Sequence, residues 1–172
     1  APIIAPYDPQ QQYLIDNKSA PTLSSEFSDS TYLLGTDSLG RDIFSRVLYG
    51  TRISLQVGAA AAIIAVLLGA PIGLIAGYFR GRIDFALVQV IDIFIALPGL
   101  VLALIITAML GPSVINLSIT LGVVTAPTVA RLVRGQVFVV RETLFVDAAR
   151  ATGASAGWII RHHVMPNTMR VV

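Results

Sequence analysis

The sequence predicts an all-α membrane protein, a polytopic bundle of helices. Three observations point there. The chain is 55% hydrophobic with only 13% charged residues, its mean hydropathy is +0.76, and its apolar residues gather into three long runs joined by short turns. Domains that fold in water carry roughly 25% charged residues. The absence of Cys excludes a disulfide framework and thiolate metal ligation. A net charge of +2, with arginines set beside the apolar runs and not in one patch, gives no reason to expect a nucleic-acid partner.

Residues 1–37 are polar and proline-bearing, with Lys18 the lone base beside Asp8, Asp16, Glu26 and Asp29, and they read as a loop outside the membrane. Over 38–52 a helical period appears. Leu39, Ile43 and Val47, with Phe44 and Leu48, form an apolar face that predicts an amphipathic helix at the membrane surface. Asp37 is its candidate N-cap, Asp42 and Arg46 are spaced as an i,i+4 ion pair, and Gly50 is the expected end or bend.

The first span is 53–79, free of charge and longer than the ~20 residues that cross a bilayer as helix. Gly69, Gly73 and Gly77 recur every fourth residue, a strip along which another helix can approach closely; Pro71 lies within it and removes a backbone donor. The second span, 83–110, carries Asp84, Asp92 and Pro98. Asp84 belongs at the interface. Asp92 lies two helical turns further in, where an ionisable group is costly and faces protein or a wet cavity. It either hydrogen-bonds a neighbouring helix or serves a gate or path, with Pro98 beside it. The third span, 114–130, is uncharged yet contains Asn116, Ser118, Thr120, Thr125 and Thr128. Those groups suit interhelical hydrogen bonding or a polar passage equally well, with Asn116 and Thr120 the candidates for the path.

Arg80, Arg82, Arg131, Arg134, Arg141 and Arg150 stand on one side of the spans, against Arg41, Arg46 and Arg52 on the other. The excess assigns residues 131–172 to the cytoplasm. In that segment Thr143 is a candidate N-cap and Gly153 a candidate stop, bracketing two turns of helix. Ser155 is positioned to cap a second short helix containing Trp158, which Pro166 is expected to close. Two short helices joined at a glycine make a projecting knob, and small side chains such as Ala148 and Ala149 let a partner come close. Taken alone, the same pattern also fits an ordinary juxtamembrane amphipathic helix.

Four blocks then occur in order: LLGTDSLGRDIFSRVLYGTRISL from Leu33, IDIFIALPGL from Ile91, ARLVRGQV from Ala130, and FVDAARATGAS…RHHVMPN from Phe145. Together they resemble the C-type permease subunit of the dipeptide, oligopeptide and nickel ABC-importer family. The last block resembles that family's EAA loop, with Asp147 where Glu is usual and Met165-Pro166 at the usual Leu-Pro. The resemblance implies a type I importer permease bundle of about six spans, so that one helix is expected before Ala1 and two after Val172. It implies that Phe145, Asp147, Ala148, Ala149, Arg150, Gly153 and Pro166 dock a separate ATPase. The implied partners are a second, B-type permease, two cytoplasmic ATPases and an extracytoplasmic solute-binding protein, with the chain multi-pass in a bacterial inner membrane.

No enzyme activity and no cofactor are expected in this chain; ATP and Mg belong to the partner ATPases. A phosphate-binding P-loop needs Gly-Lys-Ser/Thr, whereas the sole lysine, Lys18, follows Asn17. His162 and His163 are adjacent and lack an acidic or Cys companion, so no metal site is read there. The competing function is an ion-coupled secondary transporter in which Asp92 carries the ion.

Overall fold

The computed structural model describes residues 5–21 and 32–169. The expectations for Glu26, Asp29 and the two chain ends lie outside these residues. The chain divides into two compact units, Ala1–Gln56 and Val57–Val172. Helix α1 (Ile43–Phe79) begins in the first unit and continues in the second.

In the first unit the described residues form turns tied by one bridge, Thr36 to Asp42, and a 3₁₀ turn at Leu14–Asp16. The helix predicted over 38–52 does not exist as a separate element. Residues 38–42 are a turn, and α1 starts at Ile43 and passes Gly50 without interruption. Asp37 explains the shift. Its carboxylate accepts from the amides of Leu39 at 2.8 Å and Arg41 at 3.0 Å, a turn that competes with helix. Asp42 caps α1 instead, accepting from the Ser45 amide at 2.8 Å. Arg46 accordingly pairs with Asp37 and not with Asp42, which is buried.

In the second unit, α1 faces α4 (Val114–Arg141) along its glycine strip. A Cβ on Gly69 would strike the Ala126 carbonyl, one on Gly73 the Ala130 carbonyl, and one on Gly77 would sit 2.7 Å from Val137 Cβ. From the other side, a Cβ on Gly122 would lie 2.6 Å from Ile64 Cβ. The carbonyls met by Gly69, Gly73 and Gly77 are those of Ala126, Ala130 and Arg134, four residues apart on both helices, so α1 and α4 run parallel, and their C-termini lie at the same end. The segment between them must therefore return the chain to the starting side.

That return is a bent pair, α2 (Gly81–Ala96) and α3 (Gly99–Leu110), meeting at 88°. The span predicted over 83–110 is thus broken. Pro98 lacks an N–H and disfavours helical geometry at Leu97, which is extended. Among the described residues two helices, α1 and α4, are long and apolar enough to cross a membrane singly, and the bent pair makes a third if taken as one span. The third span also outruns its predicted end at Ala130, continuing to Arg141. The arginines that suggested an end there are paired with acids of α2, so charge gives the helix no reason to stop.

After α4 come α5 (Leu144–Ala151), α6 (Ala156–Ile159), a π-turn (Ile160–Val164) and α7 (Met165–Thr168). One core joins them to the long helices: Leu74 and Tyr78 of α1, Val133 and Val137 of α4, Val146, Ile159 and Val164.

Desolvation opposes ionisation of Asp37, but the Arg41 and Leu39 amides and the Arg41 guanidinium outweigh it and pull the carboxyl from 3.8 down to about 2. Its contribution to folding is then fully present above the ordinary pKa and is lost as pH falls through about 2. A ¹³C-carboxyl NMR titration of the detergent-solubilised chain should give an Asp37 midpoint near 2. A midpoint at the ordinary value would contradict the turn.

Candidate functional site

The element that stands out is the elbow formed by α5 and α6. Thr143 precedes α5 in extended geometry, but its hydroxyl donates to the Val140 carbonyl at 2.5 Å and does not cap α5. Thr143 thus closes α4. At the other end Gly153 adopts a φ of 81°, left-handed geometry that a side chain would strain. Its amide reaches the Arg150 carbonyl at 3.0 Å, and that of Ala154 reaches Ala149 at 3.1 Å. This pair of reversed bonds is a Schellman stop. Ser155 then caps α6, accepting from the Trp158 amide at 3.4 Å.

Pro166 does not close the second helix, contrary to expectation. It lies exposed at the start of α7, directly after the π-turn, where the Met165 amide reaches back to the Ile160 carbonyl. A wider turn relieves the clash between the proline ring and the carbonyl four residues earlier. The run from α6 to α7 is therefore continuous.

The residues grouped by the EAA-like motif do not all face the same way. Phe145, Asp147, Ala148, Arg150 and Gly153 are exposed, Asp147 and Arg150 pairing with each other at 3.1 Å. Ala149 is buried with Val146, so it belongs to the core beneath the outer surface. The sequence also missed two members of the outer face: Leu144, which is 88% exposed, and Trp158. Trp158 stacks on His162 with centroids 4.6 Å apart, and His163 meets both Trp158 at 5.1 Å and Phe145 at 5.7 Å. The histidines thus brace the aromatic side chains of the elbow. Behind it, the guanidiniums of Arg141 and Arg150 both lie over the Tyr78 ring, and Arg141 also donates to the Tyr78 carbonyl. The elbow is keyed to the end of α1 by apolar packing and by this cationic cover.

Asp92 faces α4 and pairs with Arg131; Asp84 takes a bidentate bond from Arg134 at 2.6 and 2.8 Å. An acid within a span demands a partner, but the sequence offers several arginines near the membrane and does not say which. Pro98 sits at the break between α2 and α3. Asn116 donates to the Leu110 and Gly111 carbonyls and so closes the end of α3. Thr120 is fully buried, its hydroxyl without a hydrogen-bond partner among the described residues. Ser118 bonds the Val114 carbonyl of its own helix at 2.8 Å. Asn116 is thus engaged in closing a helix, and Thr120 is turned inward.

Residues 69–172 match a family described as "Binding-protein-dependent transport system inner membrane component". The chain is 41% identical over 167 residues to the dipeptide transport system permease protein DppC of Alkalihalophilus pseudofirmus, covering 97% of this chain and 54% of the relative. It is 35% identical over 169 residues to the glutathione transport system permease protein GsiD of Pectobacterium atrosepticum, covering 98% and 54%. With the di/tripeptide transport system permease protein DppC of Pseudomonas aeruginosa it shares 38% identity over 169 residues, covering 98% and 55%. The chain spans about half the length of these relatives.

Adjacent alanines of α5 make the elbow's facing testable. Ala148→Arg, on the outer side, should change stability by no more than about 0.5 kcal/mol. Ala149→Arg forces a long cation into the shared core and should cost well above the ~1–3 kcal/mol typical of overpacking. Unfolding followed by fluorescence of Trp158, the one tryptophan, reads both variants. Equal effects would reverse the assignment of faces.

Proposed function

This chain belongs to the family of inner membrane components of binding-protein-dependent transport systems, and on that premise we propose that it is a permease subunit of an ATP-driven importer. It supplies half of the translocation path and couples to a separate ATPase through residues 145–166. The observation that carries the reading is the elbow itself. It is a rigid projection with Leu144, Phe145, Ala148 and Trp158 outward, and its inward residues share one core with α1 and α4. A surface of that kind transmits a push from a docked partner into the spans as a rigid-body movement.

The proposed assembly contains a second, B-type permease, two ATPases that hold ATP and Mg, and an extracytoplasmic solute-binding protein. The solute class is short peptides, in keeping with the dipeptide, di/tripeptide and glutathione systems to which the three relatives belong. The chain itself hydrolyses nothing. The elbow faces the cytoplasm and residues 1–37 the outside, an orientation supported by the arginine excess and by the parallel run of α1 and α4.

No observation favours the ion-coupled carrier. A carboxylate that carries a proton or ion across a membrane must be free to load and release it, and Asp92 is paired with Arg131. In the complete importer, Ala148→Arg should abolish co-purification of the ATPase while the permease still inserts. Asp92→Asn should leave ATP-driven uptake in place at a several-fold lower rate, a change of ~1 kcal/mol in the barrier. Accumulation that follows an ion gradient, needs no ATP and vanishes in Asp92→Asn would overturn the importer reading.

A further inference from the structure

Two arginines of α4, Arg131 and Arg134, are each matched by one acid of α2. Where α1 ends, that matching fails. Arg141 and Arg150 hold their guanidiniums over the ring of buried Tyr78, 5.7 and 5.8 Å from its centroid. Arg80 and Arg150 both lie near enough to repel the charge of Arg141. Arg80 pairs with Glu142, and Arg150 with Asp147. Arg141 forms no ion pair among the described residues; it has the Tyr78 carbonyl and ring, and the attraction of a Glu142 already bonded to Arg80. Three cations therefore share two acids. Arg80 also carries a φ of 47°, left-handed geometry that favours glycine. Side chains kept in such a conformation recur where a ligand is clamped. The half-exposed pair with Glu142 is too weak to account for it.

We propose that Arg80, Arg141 and Arg150 bind the phosphate of one anionic phospholipid, in the leaflet on the elbow's side of the membrane. Tyr78 lies at the end of the uncharged run 53–79, so the guanidiniums stand at the level of the headgroups. A lipid phosphate supplies the missing negative charge, and a guanidinium offers phosphate oxygens paired N–H donors. Basic pockets at helix ends on the cytoplasmic side suit anionic headgroups. The arginine excess places this end of α1 on that side. A zwitterionic lipid brings a cation of its own and leaves the surplus unanswered. Once bound, the phosphate ties three elements together: the turn after α1 through Arg80, the end of α4 through Arg141, and the elbow through Arg150. The inference needs α1 to span the inner membrane and does not depend on the importer reading.

The test uses the full-length permease in nanodiscs of phosphatidylcholine carrying increasing fractions of phosphatidylglycerol with the same acyl chains. Native mass spectrometry of the released protein reads which lipids it retains. Wild type should hold phosphatidylglycerol in preference to phosphatidylcholine. Arg141→Gln should lower that preference about fivefold, the effect of one basic residue near a membrane surface. Arg80→Gly separates binding from folding, because glycine relieves the backbone there. In phosphatidylcholine alone it should unfold no more readily than wild type, yet its preference should also fall about fivefold. Arg52→Gln, at the other end of the 53–79 run, should leave the preference unchanged. The proposal is overturned if Arg80→Gly and Arg141→Gln retain the wild-type preference, or if Arg52→Gln lowers it as much as they do. Displacement of the lipid by millimolar inorganic phosphate would overturn it too, since the site would then take free phosphate. So would loss of the lipid when the ATPase docks, because an acidic surface of that partner would be the occupant.

Discussion

Everything in the second unit is arranged around the line where α1 and α4 touch backbone to backbone. In lipid there is no hydrophobic gain from pressing two apolar helices together, so association depends on close packing and on polar contacts. Gly69, Gly73 and Gly77 remove the side chains that would keep the helices apart, and Gly122, Ala126 and Ala130 do the same on α4. Because the contacts advance in step, the helices are parallel and finish together. That common end is where Tyr78, Arg141 and the elbow meet.

The polar groups within the helices are then largely accounted for by structure. Asp84 and Asp92 are satisfied by arginines of α4, Asn116 closes α3, and Ser118 bonds its own helix. A dense seam carries the elbow, and an ion-paired helix with a proline break lies beside it.

Much of this was legible in the sequence because it rests on local chemistry. The glycine period, the Ser155 cap and the Gly153 stop follow from which residues tolerate a close contact, an orphan amide or a left-handed backbone. What was missed required knowledge of partners distant in sequence. Asp37 and Asp42 exchanged their expected roles because Asp37 commits its carboxylate to a turn. The break at Pro98 was visible as a residue, but its 88° size was not. Helix α4 outran its predicted end because Arg131 and Arg134 look like a membrane boundary until they are matched with Asp92 and Asp84 on α2. Ala149 and Ala148 are adjacent and identical, and only the core beneath them decides which one is exposed.

The α1–α4 seam permits no side chain at the glycine strip. A pair of Gly→Ala changes tests it within one protein. A Cβ on Gly73 would meet the Ala130 carbonyl and sit 2.8 Å from Val133 Cβ, whereas a Cβ on Gly135 of α4 meets nothing within 4 Å among the described residues. Denaturant unfolding of the detergent-solubilised chain should show Gly73→Ala destabilised by ~1–3 kcal/mol through overpacking. Gly135→Ala should be unchanged or more stable by up to ~1 kcal/mol, since alanine favours helix over glycine. If both variants gain stability alike, the strip faces open space, and the seam described here does not exist.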